Sequence, residues 1–424
     1  MKNELELTPS QTVAYEAFRT WLESNNPKKY GNETRIFLLN GEAGTGKTFM
    51  LQQYIDLLKT VNIKTSLVAF TGKAASRMQE LTGENACTIH RLIYEYNLTR
   101  DLFYDQDEEQ KEFDENKSVK AAINSQALII DEYSMLSTDM IKDLLSLNKM
   151  LIFSGDLNQL APIKEEIVSH KKFCELANKE SIPCVVLTDP VRQSLDNPIL
   201  STARKIKAGL SNLGKYFTFN PYNESEYVKV IGSKEELEWS IQLFAFPENI
   251  IICTTNEMCK DINTKVRRAN KFKDLLNPGE KIIITRNNKD EKVYNGESYE
   301  VLEVKEPVTR CGIRYLPVVI DKNTGSKNTT QLRQLIWLSI DRLLDPGWKW
   351  QVDRDLPEKD KYEQYGILKS LVYANYGYAI TGHKAQGSEW ESVYIIYKKS
   401  SYFGNRWLYT ALTRAKKRCI IRIR

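Results

Sequence analysis

One stretch, Gly41-Glu42-Ala43-Gly44-Thr45-Gly46-Lys47-Thr48, constrains the fold of this chain more than any other feature. It satisfies G-x-x-x-x-G-K-[ST] at every fixed position. The apolar run Arg35-Ile36-Phe37-Leu38-Leu39-Asn40 precedes it and reads as a buried strand. From Phe49 to Leu58 the apolar residues recur at helical spacing. Strand, glycine loop and helix in that order form a phosphate-binding loop carried by an α/β sheet. The glycines let backbone N–H groups turn toward phosphates, and the helix N-terminus adds positive potential there. Lys47 can reach the β- and γ-phosphates, and the Thr48 hydroxyl can hold Mg²⁺. A chance glycine-rich turn ending in Lys-Thr would have no reason to carry both flanks. The chain is therefore expected to bind a nucleoside triphosphate.

A second motif says what is done with it. Ala127-Leu128-Ile129-Ile130 is an apolar strand that ends in the acidic pair Asp131-Glu132. Asp131 can bind the metal, directly or through water, and Glu132 can orient and deprotonate an attacking water. An acidic pair after a strand is common in exposed loops. Its weight here comes from the phosphate loop upstream, with room for two strands between.

The rest of the chain fits a large enzyme. At 424 residues it exceeds what one core usually holds, so two or more domains are expected. Hydrophobic content of 42% and aromatic content of 10% favour packed cores over disorder. No run approaches the roughly 18 apolar residues of a membrane span, and the N-terminus lacks a secretory apolar region. The seven cysteines form no C-x-x-C pair and there are three histidines, so a zinc site or disulfide framework is not expected. A reducing cytoplasm is the expected setting.

Strands expected at 35–40, 65–70, 127–131, 150–154 and 183–187, with helices between, make a doubly covered parallel sheet. Segment 94–120 is acidic and reads as an insertion. After Pro190 a second α/β unit begins, with a strand at 249–254 and a helix through Arg268. Residues 281–340 turn β-like, split by Asn295-Gly296 and Asn323-Thr324-Gly325, and read as a small inserted β-barrel.

Three later segments carry a family resemblance. Gly155-Asp156-Leu157-Asn158-Gln159-Leu160-Ala161-Pro162 resembles the G-D-x-x-Q-L-P-P of superfamily 1 helicases. Thr381-Gly382-His383-Lys384-Ala385-Gln386-Gly387-Ser388-Glu389 resembles their H-K-x-Q-G-x-E segment, in the form used by the RecD/Dda-like branch, superfamily 1B. Tyr409-Thr410-Ala411-Leu412-Thr413-Arg414-Ala415-Lys416 resembles their closing A-x-T-R-A motif. Leu7-Thr8-Pro9-Ser10-Gln11, Thr71-Gly72-Lys73-Ala74-Ala75, Thr88-Ile89-His90-Arg91 and Val191-Arg192-Gln193 match further members in the correct order. Val293-Tyr294-Asn295-Gly296-Glu297 resembles the turn of that branch's SH3-like barrel.

The resemblance implies two RecA-like motor domains, at 1–93 with 121–190 and at 191–280 with 371–424. It also implies a strand-separating pin in 94–120 and an SH3-like barrel in 281–370. ATP and Mg²⁺ are the implied cofactors. Gln11 would read the adenine edge, a job its amide suits, although a polar residue near a helix cap also fits. Gln159 would sense the γ-phosphate, and Arg192 and Arg414 would be arginine fingers. Gln386, Gly387 and Glu389 would contact the nucleotide. Thr71, Lys73, Thr88, His90, His383, Lys384 and Ser388 resemble strand-contacting positions that grip phosphates without reading sequence. Single-stranded DNA and junctions with duplex are the implied partners, with 5′-to-3′ movement and a monomer as the expected state.

The chain departs from the pattern at Phe70 and Ala161, where the family has proline, and in the acidity of 94–120. Phe103-Tyr104 there could be an apolar wedge or part of an exposed loop. Lys416-Lys417-Arg418 could grip DNA or be a solvated helix end. Rival readings are a translocase that does not unwind, an RNA helicase, and a P-loop kinase or clamp-loader-like switch. The last would leave the segments around His383 and Arg414 without a role.

Overall fold

The apolar run ahead of the phosphate loop is buried because both its faces are covered. Phe37 and Leu39 join one core with the helices Pro9–Asn25, Lys47–Thr60 and Gly72–Thr82. Leu38 joins a second core on the other face, with the helices Lys117–Asn124 and Thr138–Leu145. A strand covered on both sides has no polar face to alternate with, so it reads as a continuous apolar run. In this computed structural model the described residues are 7–30, 34–70, 72–89, 92–93, 117–160, 182–189, 197–208, 217–220, 223–231, 249–286, 297–322, 332–340, 358–398 and 404–423, with Asn288, Glu291, Val293 and Leu343. They form two compact units, Met1–Leu200 and Ser201–Arg424.

The first unit is built on a six-stranded sheet. Its strands are β1 (Arg35–Gly41), β2 (Thr65–Ala69), β3 (Ala86–Thr88), β4 (Ala127–Ile130), β5 (Met150–Gly155) and β6 (Cys184–Leu187). The order across the sheet is β3-β2-β4-β5-β1-β6, and every pairing is parallel. Ligands of such sheets bind beyond the carboxyl ends of the strands. Here β4, β5 and β1 are neighbours, so Asp131-Glu132, the Gln159 loop and the phosphate loop emerge side by side. Behind the phosphate loop, Phe18 stacks on Tyr54 at 3.9 Å, and the Tyr54 hydroxyl donates to Ala14 O at 3.0 Å. These contacts hold the helix Lys47–Thr60, and with it the loop, against the N-terminal helix.

The second unit carries two sheets. One holds β7 (Phe217–Asn220), β8 (Asn223–Ile231), β9 (Asn249–Cys253), β17 (Ala379–Thr381), β18 (Trp390–Tyr397) and β19 (Ala415–Ile423) in the order β17-β9-β18-β19-β8-β7. All its pairings are parallel except β7 with β8. The other holds β10 (Lys281–Ile284), β11 (Ser298–Val304), β12 (Val308–Arg310), β13 (Ile313–Asp321), β14 (Arg333–Ser339), β15 (Leu371–Val372) and β16 (Ala374–Tyr376). Its path is β15-β14-β13-β11-β10-β16, with β12 on β13, and all its pairings except β14 with β15 are antiparallel.

Two expectations change in this unit. Residues 371–376 pair with the antiparallel sheet, because Ala374 to Tyr376 lie along β10 before the chain returns to β17. The basic run Lys416-Lys417-Arg418 is exposed at the start of β19, not at a helix end, and Lys417 pairs with Glu391 at 2.8 Å. The Asn295-Gly296 and Asn323-Thr324-Gly325 turns and most of segment 94–120 lie outside the described residues. No described helix is long and apolar enough to cross a membrane.

Candidate nucleotide and strand sites

β1 ends in a loop that only small residues can close. A Cβ on Gly41 would stand 2.5 Å from Thr45 Oγ1 and 3.3 Å from Lys47 Cγ. Gly44 and Gly46 have φ of 82° and 86°, where other residues are strained. Thr45 returns its N–H and its hydroxyl to Glu42 O at 3.3 and 2.9 Å, closing the turn through Ala43. Gly46 is the N-cap of the helix Lys47–Thr60 and offers no side-chain hydrogen bond. The first-turn N–H groups, Thr48's among them, are thus left uncapped by Gly46, as an anion site requires. Lys47 Nζ donates to Gly41 O at 2.9 Å and Glu42 O at 3.2 Å, so its ammonium already lies over the loop.

The strand ends beside the loop carry acceptors. Asp131 follows β4 and is fixed by its N–H to Val68 O at 3.1 Å. Asp131 Oδ1 and Gln159 Oε1 are buried with no hydrogen-bond partner among the described residues. A buried acceptor left unmet costs about 1–3 kcal/mol, so a donor or a cation is wanted at both. The carboxylate suits a hydrated divalent ion, and the amide suits a water or a phosphate-bound group. The donor set therefore fits Mg²⁺ with a nucleotide. Glu132 has φ 53° and ψ 41°, left-handed backbone that a glutamate rarely adopts.

Gln11 is buried and internally engaged. Its Oε1 accepts from Thr8 N at 3.1 Å in a capping box, and its Nε2 donates to Thr45 O at 3.3 Å. One N–H and one oxygen lone pair of the amide are left for an adenine edge. Next to it, Ser10 N donates to Asp189 Oδ2 at 2.9 Å, and this bond holds the Asp189 carboxyl below its ordinary pKa.

In the second unit β17 leads into the short helix Gly382–Ala385. A Cβ on Gly382 would meet the Trp407 indole nitrogen at 2.6 Å, so glycine is required where the two segments pack. His383 is half-buried, and burial lowers its pKa below the ordinary value. Lys384 is exposed, whereas Gln386 and Ser388 are buried. Gly387 turns with φ 73° ahead of Ser388 and Glu389. Arg414 is buried: its Nε donates to Thr410 O at 3.2 Å, Nη2 to Thr413 Oγ1 at 3.2 Å and Nη1 to Ser388 O at 3.4 Å. The segment around His383 and the closing Arg motif are thus one hydrogen-bonded cluster.

Thr88 ends β3 in the first unit, and Lys73 lies in the helix Gly72–Thr82. Thr71, His90, Arg192, Phe103 and Tyr104 lie outside the described residues. Sequence reading passed over Asn40 and Tyr133, whose side chains meet at 2.6 Å. Neither belongs to a linear motif, and only the fold brings them together.

A family model described as an AAA domain matches residues 29–165, and one described as a UvrD-like helicase C-terminal domain matches residues 376–421. The chain is 24% identical over 409 residues to the ATP-dependent RecD2 DNA helicase of Deinococcus radiodurans, covering 91% of this chain and 46% of that protein. It is 25% identical over 473 residues to the RecBCD enzyme subunit RecD of Buchnera aphidicola subsp. Schizaphis graminum, covering 90% and 69%. The chain spans about half or less of the first two curated relatives it matches, 46% and 36% of their lengths. Among solved structures, the Pif1 helicase from Candida albicans superposes with a TM-score of 0.54 at 15% identity, covering 98% of this chain and 94% of that one. In its motifs and its relatives the chain is thus similar to helicases of the RecD-like branch of superfamily 1B, and its fold is like that of a Pif1 helicase.

Proposed function

We propose that the chain is an ATP-driven motor that moves along single-stranded DNA, 5′ to 3′, and opens duplexes at a junction. One observation carries this reading. Arg414, the arginine suited to a phosphoryl group, donates to Ser388 O within the segment that holds His383 and Lys384. A movement of Arg414 toward a nucleotide breaks or keeps that bond and so bears on the segment suited to a DNA strand. A kinase or a simple switch has no use for such a link.

In this reading the loop Gly41–Thr48 cradles the phosphates, and Lys47 exchanges its loop carbonyls for phosphate oxygens. Thr48 and Asp131 would hold Mg²⁺, which when bound neutralises charge on the phosphate oxygens. Glu132 takes the proton of the attacking water, and Gln159 reports the γ-phosphate. Arg192 and Arg414 stabilise the transferring group. Gln386, Gly387 and Glu389 back the nucleotide, and Gln11 tethers the loop or reads the base. Thr71, Lys73, Thr88, His90, His383 and Lys384 contact backbone phosphates. Ser388 acts through its carbonyl, since its side chain is buried. The antiparallel sheet, which runs on through residue 376, would serve as the SH3-like barrel, and segment 94–120, most of it outside the described residues, would supply the pin, with Phe103 or Tyr104 as its wedge. RecD2 is named as a DNA helicase, which favours DNA over RNA as the track.

The test is unwinding of duplexes with a 5′ tail, a 3′ tail or no tail, with ATP and Mg²⁺. Opening of the 5′-tailed duplex alone is expected. ATP hydrolysis with no opening of any duplex would favour a translocase, and preference for an RNA tail would move the track to RNA.

A further inference from the structure

Glu132 poses a question that the sheet alone does not answer. It sits in left-handed backbone, φ 53° and ψ 41°, immediately after a strand. A non-glycine residue persists there only where its surroundings over-determine it. Its own strand is not hydrogen-bonded to β1, because β5 lies between them. Something else must set where this carboxylate stands relative to the phosphate loop.

The next residue, Tyr133, spans that gap. It starts the 3₁₀ turn Tyr133–Met135, closed by Met135 N to Glu132 O and Leu136 N to Tyr133 O, both at 3.0 Å. Its side chain is fully buried. The ring lies over the end of β5, where a Cβ on Gly155 would stand 2.7 Å from Tyr133 Cδ1. The Phe153 ring meets it edge-on at 6.0 Å and 68°. The hydroxyl then reaches β1 and donates to Asn40 Oδ1 at 2.6 Å. Asn40 is the residue before Gly41, and its Nδ2 points to Cys184 Sγ at 3.2 Å on β6, which turns its oxygen toward the tyrosine. The residue after the general base is therefore bonded to the residue before the phosphate loop, across a strand that has only glycine room to spare.

We propose that Tyr133 and Asn40 are positioning residues for ATP hydrolysis. Their hydrogen bond fixes the distance between Glu132 and the phosphate loop, and Gly155 is the clearance that lets it form. This rests on the hydrolytic reading of Lys47, Asp131 and Glu132. Displacement of a reacting group by about an ångström can cost on the order of a hundredfold in rate. A bond that sets this distance should therefore show in turnover and not in nucleotide affinity.

The test uses the full chain with saturating single-stranded DNA, well below its melting temperature. Tyr133→Phe removes the hydroxyl alone. It should lower kcat about tenfold to a hundredfold, with the KM for ATP within about twofold of wild type. A second variant, Tyr133→Phe with Asn40→Leu, removes both partners, so no buried oxygen is left unmet and thermal stability should recover toward wild type. Its kcat should stay low. A structural hydroxyl predicts the reverse pattern: wild-type kcat in Tyr133→Phe below its melting point, or kcat and stability recovering together in the double variant. Either result overturns the proposal. Wild-type protein that hydrolyses no ATP with DNA would instead remove the hydrolytic reading, and the proposal with it. Wild-type activity with an unchanged Tyr133→Phe removes the proposal alone.

Discussion

His383 shows how much a single residue's surroundings decide. Its segment packs where Gly382 admits the Trp407 indole, and this burial lowers the imidazole pKa below its ordinary 6.5. The neutral ring is therefore the native form near neutral pH. In the unfolded chain the ring takes up a proton as pH falls through about 6.5, while the folded ring resists until lower pH. The stabilising contribution is thus fully present above about pH 6.5 and is lost as pH falls through the folded value. Replacing His383 by Gln should flatten the loss of thermal stability between about pH 7 and about pH 5, relative to wild type. Parallel curves for the two proteins would mean that the ring titrates normally. In the proposed motor a neutral His383 would give a strand phosphate a hydrogen bond and not a charge. Exposed Lys384 next to it carries the charge, and the two neighbours should behave differently in salt.

At the scale of elements, one buried pair joins the two sheets of the second unit. Arg267, on the helix Asn256–Ala269, donates through Nε to Glu280 Oε2 at 2.8 Å and through Nη2 to Oε1 at 3.0 Å, and Glu280 is fully buried. The Tyr378 hydroxyl at 3.3 Å and Asn277 N at 2.9 Å complete the carboxylate's partners, and Arg267 lies 4.3 Å over the Tyr376 ring. Because Glu280 leads into β10, Tyr376 ends β16 and the helix Asn256–Ala269 packs on β17 and β9, the cluster ties the antiparallel sheet to the parallel one. Arg267→Met leaves a buried carboxylate short of its cation and should cost about 3–5 kcal/mol in chemical unfolding. Arg267→Met with Glu280→Gln should recover part of it; no loss in the single variant would mean that the tyrosine and amide partners suffice. Nothing in the linear sequence marks this pair, since its partners meet only through the fold. The same limit applies to short strands. β1, β4, β5 and β11 were legible because apolar or alternating runs of four to seven residues carry a period. β3, with three residues, carries none. The β12–β13 turn is Cys311-Gly312, with φ of 47° and 74°, and its cysteine gives no Asn-Gly or Asp-Gly signal. The phosphate loop and the His383 and Arg414 segments were legible for the opposite reason: each acts through neighbouring backbone, so its chemistry is written contiguously. The Tyr133–Asn40 bond, across 93 residues, was not.

At the scale of the whole molecule, the proposed motor must grip a strand weakly enough to move and couple each grip to hydrolysis. The grip is expected to rest on phosphates, so binding should fall steeply with salt and vary little with base sequence. Lys384→Ala should weaken binding of an oligonucleotide and flatten the salt slope by about one unit, and Lys73→Ala should do the same if its side chain meets the strand. In the proposed motor the coupling would run through Arg414, whose bonds to Ser388 O, Thr410 O and Thr413 Oγ1 hold it inside the second unit. If serving a phosphoryl group changes its bond to Ser388 O, the strand segment would control its availability. Arg414→Ala should therefore leave ATP affinity and nucleotide-free DNA affinity nearly intact. It should remove on the order of a thousandfold of DNA-stimulated hydrolysis. The two measurements separate the roles: a salt slope changed in Arg414→Ala would place this arginine on the strand. Hydrolysis at the wild-type rate under saturating DNA would end its assignment as a finger, and the link through Ser388 would then be a fold contact with no part in the stroke.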